Sequence, residues 1–438
     1  MENIARFFMV IQEKKFLSFQ KIIILFPIMN TTVSQPSSRK VVLLVIVAAM
    51  GYFVDIYDLL LFLIVRLQSL RDIGVPESEL RHTGEYIVNM QMAGLLVGGI
   101  IWGVLGDKLG RIKVLFGSIL LYSAGNIVNG FVQDVHSYAI IRLITGIGLA
   151  GELGAGITLI SETMHKDKRG YGTMIVAAVG LFGAVAANLV AKHFEWRNAY
   201  FVGGGLGLIL LLLRIGTFES GLYKNVSDNK AVSRGNLLML FNNRKRFLKY
   251  LNCILIGLPL WFVVGIIIAQ SPEIGKLLGA ADPLNAGVGI MYSYIGISIG
   301  DIIAGFLAQV LRKRKLTLGI FLIVSIISVF FFLNFKGITE RQFEWMAFII
   351  GIGVGYWATF VTIASEQFGT NLRATVTTTV PNFIRGSLIP ITYLFEFFVV
   401  RYDLIKAGYI VMTLLTVISF IALLQLKESF HKDLNYLE

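Results

Sequence analysis

Residues 103–113 read Gly-Val-Leu-Gly-Asp-Lys-Leu-Gly-Arg-Ile-Lys, with apolar runs at 84–105 and 112–131 on either side. A polar stretch this short between two such runs is a tight turn joining two helices. Gly103 and Gly110 allow the helices and the turn to pack closely. Asp107 stands at the head of the second helix, where the positive end of the helix dipole favours an acid. Working outward in runs of ~20 apolar residues, the length that crosses a bilayer, gives twelve segments. They lie near 41–65, 84–105, 112–131, 138–161, 171–191, 199–216, 248–269, 286–310, 316–335, 344–364, 374–399 and 405–425. The reading is an all-α integral membrane protein with twelve transmembrane helices.

Composition agrees. Of 438 residues, 55% are hydrophobic and 15% charged, against roughly 25% charged in a soluble domain. More apolar surface is present than one globular core buries, so lipid must solvate much of it. The single Cys253 excludes a disulfide framework and Cys-based metal sites, and the five His form no metal-binding pair. No metal site and no cofactor are expected. No segment between the runs is long enough for a soluble catalytic domain, so the chain is not an enzyme. The net charge of +12 is not a nucleic-acid footprint, because its Lys and Arg lie between apolar runs.

Those basic residues orient the chain. With the N-terminus placed inside, 22 Lys and Arg beyond residue 38 fall in or beside cytoplasmic loops and 10 in external ones. By the positive-inside rule both termini are cytoplasmic. Residues 1–39 form a leader: Lys14, Lys15 and Lys21 precede a short apolar run, Ile22–Ile28, with no small-residue cleavage site after it. Translation from Met29 is an alternative start.

The chain repeats itself. Ser161-Glu162 precedes Arg169-Gly170 as Ser365-Glu366 precedes Arg373-Ala374, an offset of 204, and Gly98 and Gly103 map onto Gly300 and Gly305 at an offset of 202. Two six-helix halves of one topology follow, 40–216 and 248–426, joined by a basic linker, 217–247, and ending in a cytoplasmic tail, 427–438.

The 103–113 loop resembles the G-x3-D-R/K-x-G-R-x-K signature of the major facilitator superfamily. Arg142-x3-Gly146-Ile-Gly148-Leu-Ala-Gly151-Glu152 resembles a stretch of its metabolite:proton symporter branch. Asp55-x2-Asp58 is similar to the D-x2-D of aromatic-acid symporters, and Glu366-x6-Arg373 with Arg385-Gly386 resembles organic-anion and sugar relatives. Gly369 replaces the Pro common in those relatives, and the second-half loop at Gly305 lacks the acid and the turn glycine. The resemblance implies two pseudo-symmetric bundles that rock about a central cavity lined by helices one, four, seven and ten. It also implies a cytoplasmic gate made of the motif residues Gly103, Asp107 and Gly110 and a charge network of Arg111, Glu162, Arg169, Glu366 and Arg373.

Charges within membrane helices are expensive unless they are paired or face a cavity, so they mark function. At ~1.5 Å per residue, Asp55 and Asp58 lie roughly 21 and 26 Å from the cytoplasmic face and Arg142 roughly 24 Å. An Asp–Arg pair at that level, with Glu152 next in line, suits proton coupling, and a static ion pair is the alternative. Arg385 lies roughly 17 Å deep. No second-half acid shares its level: Asp301 and Glu366 lie toward the cytoplasm and Glu396 toward the outside. A substrate anion meets the planar fork of Arg385, or Arg385 pairs with a first-half Asp or Glu152, or it is a water-lined spectator.

Asn382, Gln91, Gln270, Trp261, Tyr292, Tyr356 and Trp357 are further substrate-site candidates, with helix packing as the alternative role for each. The expected function is proton-coupled uptake of a small carboxylate by a monomer in a bacterial inner membrane, with protons as the coupling ion and the lipid bilayer, substrate and protons as its partners. A sugar symporter or a drug or metabolite exporter is the nearer alternative. A channel would need a continuous polar pore and no rocking halves.

Overall fold

The computed structural model describes residues 38–109, 111–152, 169–219 and 237–430, and every regular element among them is helical. The first half contains α1 (Ser38–Asp72), α2 (Leu80–Leu109), α3 (Arg111–Asn129), α4 (Val135–Leu149), α5 (Arg169–Leu181), α6 (Gly183–His193) and α7 (Trp196–Glu219). After a short 3-10 turn at Leu237–Leu240 come α8 (Arg244–Leu255), α9 (Leu258–Phe262), a π turn (Val263–Ile268) and α10 (Ser271–Leu277). The remainder is α11 (Ala286–Leu311), α12 (Arg314–Asn334), α13 (Glu340–Val354), α14 (Trp357–Gln367), α15 (Thr370–Gly386), α16 (Leu388–Arg401) and α17 (Leu404–Gln425).

Ten stretches among the described residues are long and apolar enough to cross a membrane. Helices α3 and α4 take the third and fourth places, and residues 153–161 of the expected fourth span lie outside the described residues. The chain is an integral membrane protein: Leu212, Phe306, Phe331, Val400 and Leu424 are exposed on its flanks, where only lipid can solvate them.

Several expected spans are longer or broken. Helix α1 runs to Asp72 rather than 65, because Arg66 does not stop it: the guanidinium is buried and paired with Glu273 at 2.6 Å. The seventh span breaks at Gly257, ahead of Pro259 in the first turn of α9. The tenth breaks at Gly355 and Tyr356, and the eleventh at Ser387. Polar caps begin the helices that leave loops. Asp134 accepts from Ser137 N–H at 2.9 Å, Asn285 from Gly287 N–H at 2.9 Å, and Thr339 forms a capping box with Gln342.

The internal repeat is visible as packing. A Cβ on Gly94 or Gly98 of α2 would meet the Leu143 or Ile147 carbonyl of α4. One on Gly296 or Gly300 of α11 would meet the Phe348 carbonyl of α13 or the Ile352 carbonyl. These four glycines occupy equivalent places at an offset of 202, and their missing side chains let two helix backbones touch. Gly305, by contrast, has nothing within 4 Å, so the Gly103–Gly305 correspondence is one of position along α2 and α11 and not of packing. Gly98→Ala and Gly300→Ala should each destabilise by about 1–3 kcal/mol through overpacking, whereas Gly305→Ala should be neutral or slightly stabilising. Melting curves of the detergent-solubilised variants test this, and equal melting of Gly300→Ala and Gly305→Ala would contradict it.

The helices from Arg39 onward form one unit. Its two halves meet where α15 and α16 pack on α2, and where α11 packs on α5 and α6. At the end carrying loops 73–79 and 335–339, here the distal end, polar side chains also tie them. Arg66 pairs with Glu273, Arg81 with Glu396, and Gln270 Nε2 donates to Glu85 at 2.6 Å. The opposite, proximal end carries residues 312–313 and 426–430.

Candidate functional site

The buried charges converge between the halves. Asp55 of α1 and Arg385 of α15 are almost completely buried and stand 3.6 Å apart, Oδ2 to Nη2. This is ion-pair range but too long for a hydrogen bond. Arg385 Nε and Nη1, and both Asp55 oxygens, have no hydrogen-bond partner. Trp261 of α9 and Trp357 of α14 flank the guanidinium, each ring centre 5.9 Å from its central carbon. The Trp261 indole N–H is also unpartnered. Tyr52 of α1 and Tyr294 of α11 are buried within the field of both charges. The cluster therefore offers one cation with unspent donors, one carboxylate with unspent acceptors, and two aromatic faces.

Asp55 and Asp58 diverge, although they share a helix. Asp55 faces the second half. Asp58 faces inward to the first, where a Cβ on Gly203 of α7 would meet its carboxylate. Arg142 Nη2 donates to the Asp58 backbone carbonyl at 3.1 Å and Nη1 to Asn126 Oδ1 at 3.4 Å, with the guanidinium 5.6 Å from the Tyr200 ring centre. The expected Asp–Arg pair between α1 and α4 is thus replaced by a backbone contact that leaves the Asp58 carboxylate without a hydrogen bond. Of the two aspartates, Asp55 is the one in a charge pair, and that pair crosses between the halves.

Glu152, the remaining proton-coupling candidate, is paired within the first half. Arg214 of α7 holds both of its oxygens, Nη1 to Oε2 at 3.0 Å and Nη2 to Oε1. Gly51, one turn before Asp55, makes room for this pair. Arg214, within the 199–216 run, was not singled out in the sequence. The rule that any intramembrane charge needs a partner would have found it.

The other substrate-site candidates separate as follows. Trp261 and Trp357 are in the cluster. Gln91 Nε2 donates to the Leu59 carbonyl at 3.0 Å and ties α2 to α1. Gln270 is at the distal end against Glu85, outside the cluster. Tyr292 is half-buried beside Glu344, and Tyr294, two residues on and on the opposite side of α11, takes the central place. Tyr356 is turned toward the Ile256 carbonyl and Phe321. Asn382 Nδ2 donates to the Ala150 carbonyl at 3.0 Å, bridging the halves one turn from Arg385.

At the proximal end, Gly110 and Glu162 lie outside the described residues, as do the side chains of Asp107, Arg111, Arg169 and Arg373. Glu366 pairs with Arg314 at 2.7 Å and accepts from Ser429 Oγ at 2.8 Å. Its described partners are thus the first residue of α12 and a tail residue. The tail is not simply solvated: Gln367 Nε2 also donates to the Lys427 carbonyl at 2.7 Å.

At the distal end His82, Glu85 and Glu396 approach one another closely enough to hold an ion, but Arg81 bonds to both carboxylates. A guanidinium already fills the cation's place in this clamp. In the distal loops the Arg71 side chain holds the Glu77 carboxyl below its ordinary range, and the Ser137 backbone N–H does the same for Asp134.

Comparison with known proteins agrees with this architecture. The chain is 29% identical over 202 residues to a putative niacin/nicotinamide transporter of Bacillus subtilis, 45% of this chain and 48% of that protein. It thus spans about half the length of that relative. A niacin transporter of Acinetobacter baylyi is 24% identical over 363 residues, 75% of this chain and 80% of the relative. A sialic acid transporter of Escherichia coli is 23% identical over 295 residues, covering 65% and 68%. A solved proton:xylose symporter superposes with a TM-score of 0.65 at 15% identity, over 91% of this chain and 98% of that one, and so shares the fold. The Major Facilitator Superfamily profile matches residues 41–389, and the chain belongs to that family.

Proposed function

We propose that this chain is a secondary active transporter that takes up a small organic carboxylate together with protons, by alternating access. In this reading it works as a monomer in a bacterial inner membrane with both termini cytoplasmic, and its halves divide at the linker 217–247. One observation carries it: Arg385 lies buried between the halves with Nε and Nη1 unspent, beside two indole faces and the unsatisfied carboxylate of Asp55.

The chemistry follows from charge balance. With Asp55 ionised, its charge offsets that of Arg385 and the empty site is neutral. A proton on Asp55 frees the guanidinium for a substrate carboxylate, and the site is again neutral with both ligands bound. Proton and anion therefore favour each other's binding, as linkage requires. A site neutral when empty and when doubly loaded crosses the membrane interior more easily than a singly loaded, charged one. Matched curated relatives carry names of niacin, sialic acid and 4-hydroxybenzoate transporters, which supplies the first compounds to assay.

In proteoliposomes with an inward proton gradient, radiolabelled niacin, sialic acid and 4-hydroxybenzoate are the probes. Asp55→Asn should abolish gradient-driven accumulation while leaving counterflow exchange measurable, since a permanently neutral side chain keeps Arg385 open. Accumulation at the unmutated level in Asp55→Asn removes this carboxylate from coupling. Failure of every anionic probe alongside transport of a neutral sugar overturns the carboxylate reading.

A further inference from the structure

Asp301 plays no part in the mechanism above. It lies ten residues from the end of α11, about 15 Å along the helix and on the proximal side of the helix midpoint. Gly300, beside it, lets α11 approach the break between α13 and α14, and a Cβ there would meet Gly355. The break exposes the first N–H groups of α14, an eleven-residue helix. Asp301 Oδ1 accepts from Ala358 N–H at 2.9 Å, capping that helix from a different one. Its other oxygen, Oδ2, has no partner, although the residue is only 8% exposed.

Among the described residues no Lys, Arg or His forms an ion pair with Asp301. The titratable group that shares a field with it is Tyr52 of α1, which also feels Arg385, Asp55 and Tyr294. The helix terminus contributes about half a positive charge, less than the full charge that a buried carboxylate ordinarily requires of a partner. Two states are thus available. Ionised, the side chain is held by the helix terminus. With a proton on Oδ2, it is neutral and its bond to Ala358 can stay in place. Trp357, the first residue of α14, is the residue that flanks Arg385.

We propose that Asp301 is a second proton-binding site, in the second half of the chain, and that its proton sets how Trp357 rests against Arg385. The proton adds to Oδ2 without breaking a covalent bond. Its arrival removes the attraction between the carboxylate charge and the α14 terminus, and that terminus carries Trp357. The functional consequence rests on the proton-coupled reading above, but the site itself can be tested without a substrate.

The test is acid-minus-base infrared difference spectroscopy of the full chain in liposomes. The unmutated protein and Asp55→Asn should both show a protonated-carboxyl band that Asp301→Asn lacks. Asp301→Ser, which keeps a capping oxygen, should lack it too and serves if the Asn variant does not fold. Tryptophan emission should change with the same midpoint and lose that change in Trp357→Phe. An unaltered carboxyl region in the Asp301 variants, or a Trp357 signal that titrates unchanged in them, overturns the proposal. In the transport arm, Asp301→Asn should move one proton fewer per probe molecule than the unmutated protein, and an unchanged ratio counts against the site's role in coupling. If the unmutated protein moves none of the probes, the transport reading fails, while the infrared result still decides the site.

Discussion

Arg385→Ala should raise the apparent Kd for the transported carboxylate by roughly 100-fold or more. The substitution removes the one cation of the central cluster, and truncating one member of a buried charge contact costs about 2–5 kcal/mol, where 1.4 kcal/mol is tenfold. It also leaves Asp55 buried without its neighbour, which disfavours the empty site as well as the loaded one. Arg385→Lys keeps the charge but not the planar fork, and should weaken binding by about tenfold. Equilibrium binding to purified protein separates this from transport rate, and near-normal affinity in Arg385→Ala would show that the substrate does not use this residue.

The largest effect on stability is expected at the Glu152–Arg214 pair. Both side chains are nearly inaccessible, at 2% and 4% exposure, and the guanidinium holds both carboxylate oxygens. Glu152→Ala strands a buried cation and Arg214→Ala a buried anion, each at about 3–5 kcal/mol. Most of that penalty belongs to the orphaned partner and not to the net strength of the pair. The double substitution Glu152→Met with Arg214→Leu, of comparable volume and without charge, should therefore recover most of the loss. Detergent melting curves for the two single variants and the double one form the cycle. A double variant no more stable than the singles would place the cost in packing instead of charge.

Much of the architecture was legible in local sequence. Span length is set by bilayer thickness, so a count of apolar residues found the helices, and the glycine-rich turn at 103–113 marked where two of them reverse. The 202-residue offset anticipated that Gly98 and Gly300 do the same packing work, because close backbone approach admits only glycine. Span ends were less legible. A charged residue such as Arg66 stays helical when a partner waits in the other half, and Gly257, Gly355 and Ser387 interrupt helices that hydropathy alone draws as continuous.

Which charges matter was also legible: Asp55, Asp58, Arg142, Glu152 and Arg385 stand out as costly residues in apolar runs. Which of them meet was not. Depth along a helix places Asp55, Asp58 and Arg142 on one level but says nothing of azimuth. The 100° turn between neighbouring residues sends Asp55 toward Arg385 and leaves Arg142 on a backbone carbonyl. Two such turns separate Tyr294 at the centre from Tyr292 beside Glu344, and helix rotation also joins Glu152 to Arg214. By itself, the sequence determined a twelve-span membrane chain of two related halves with expensive charges at mid-depth, because hydrophobic length and desolvation are local properties. Only the tertiary structure decided the pairs, because a salt bridge depends on the rotation and approach of helices far apart in the chain.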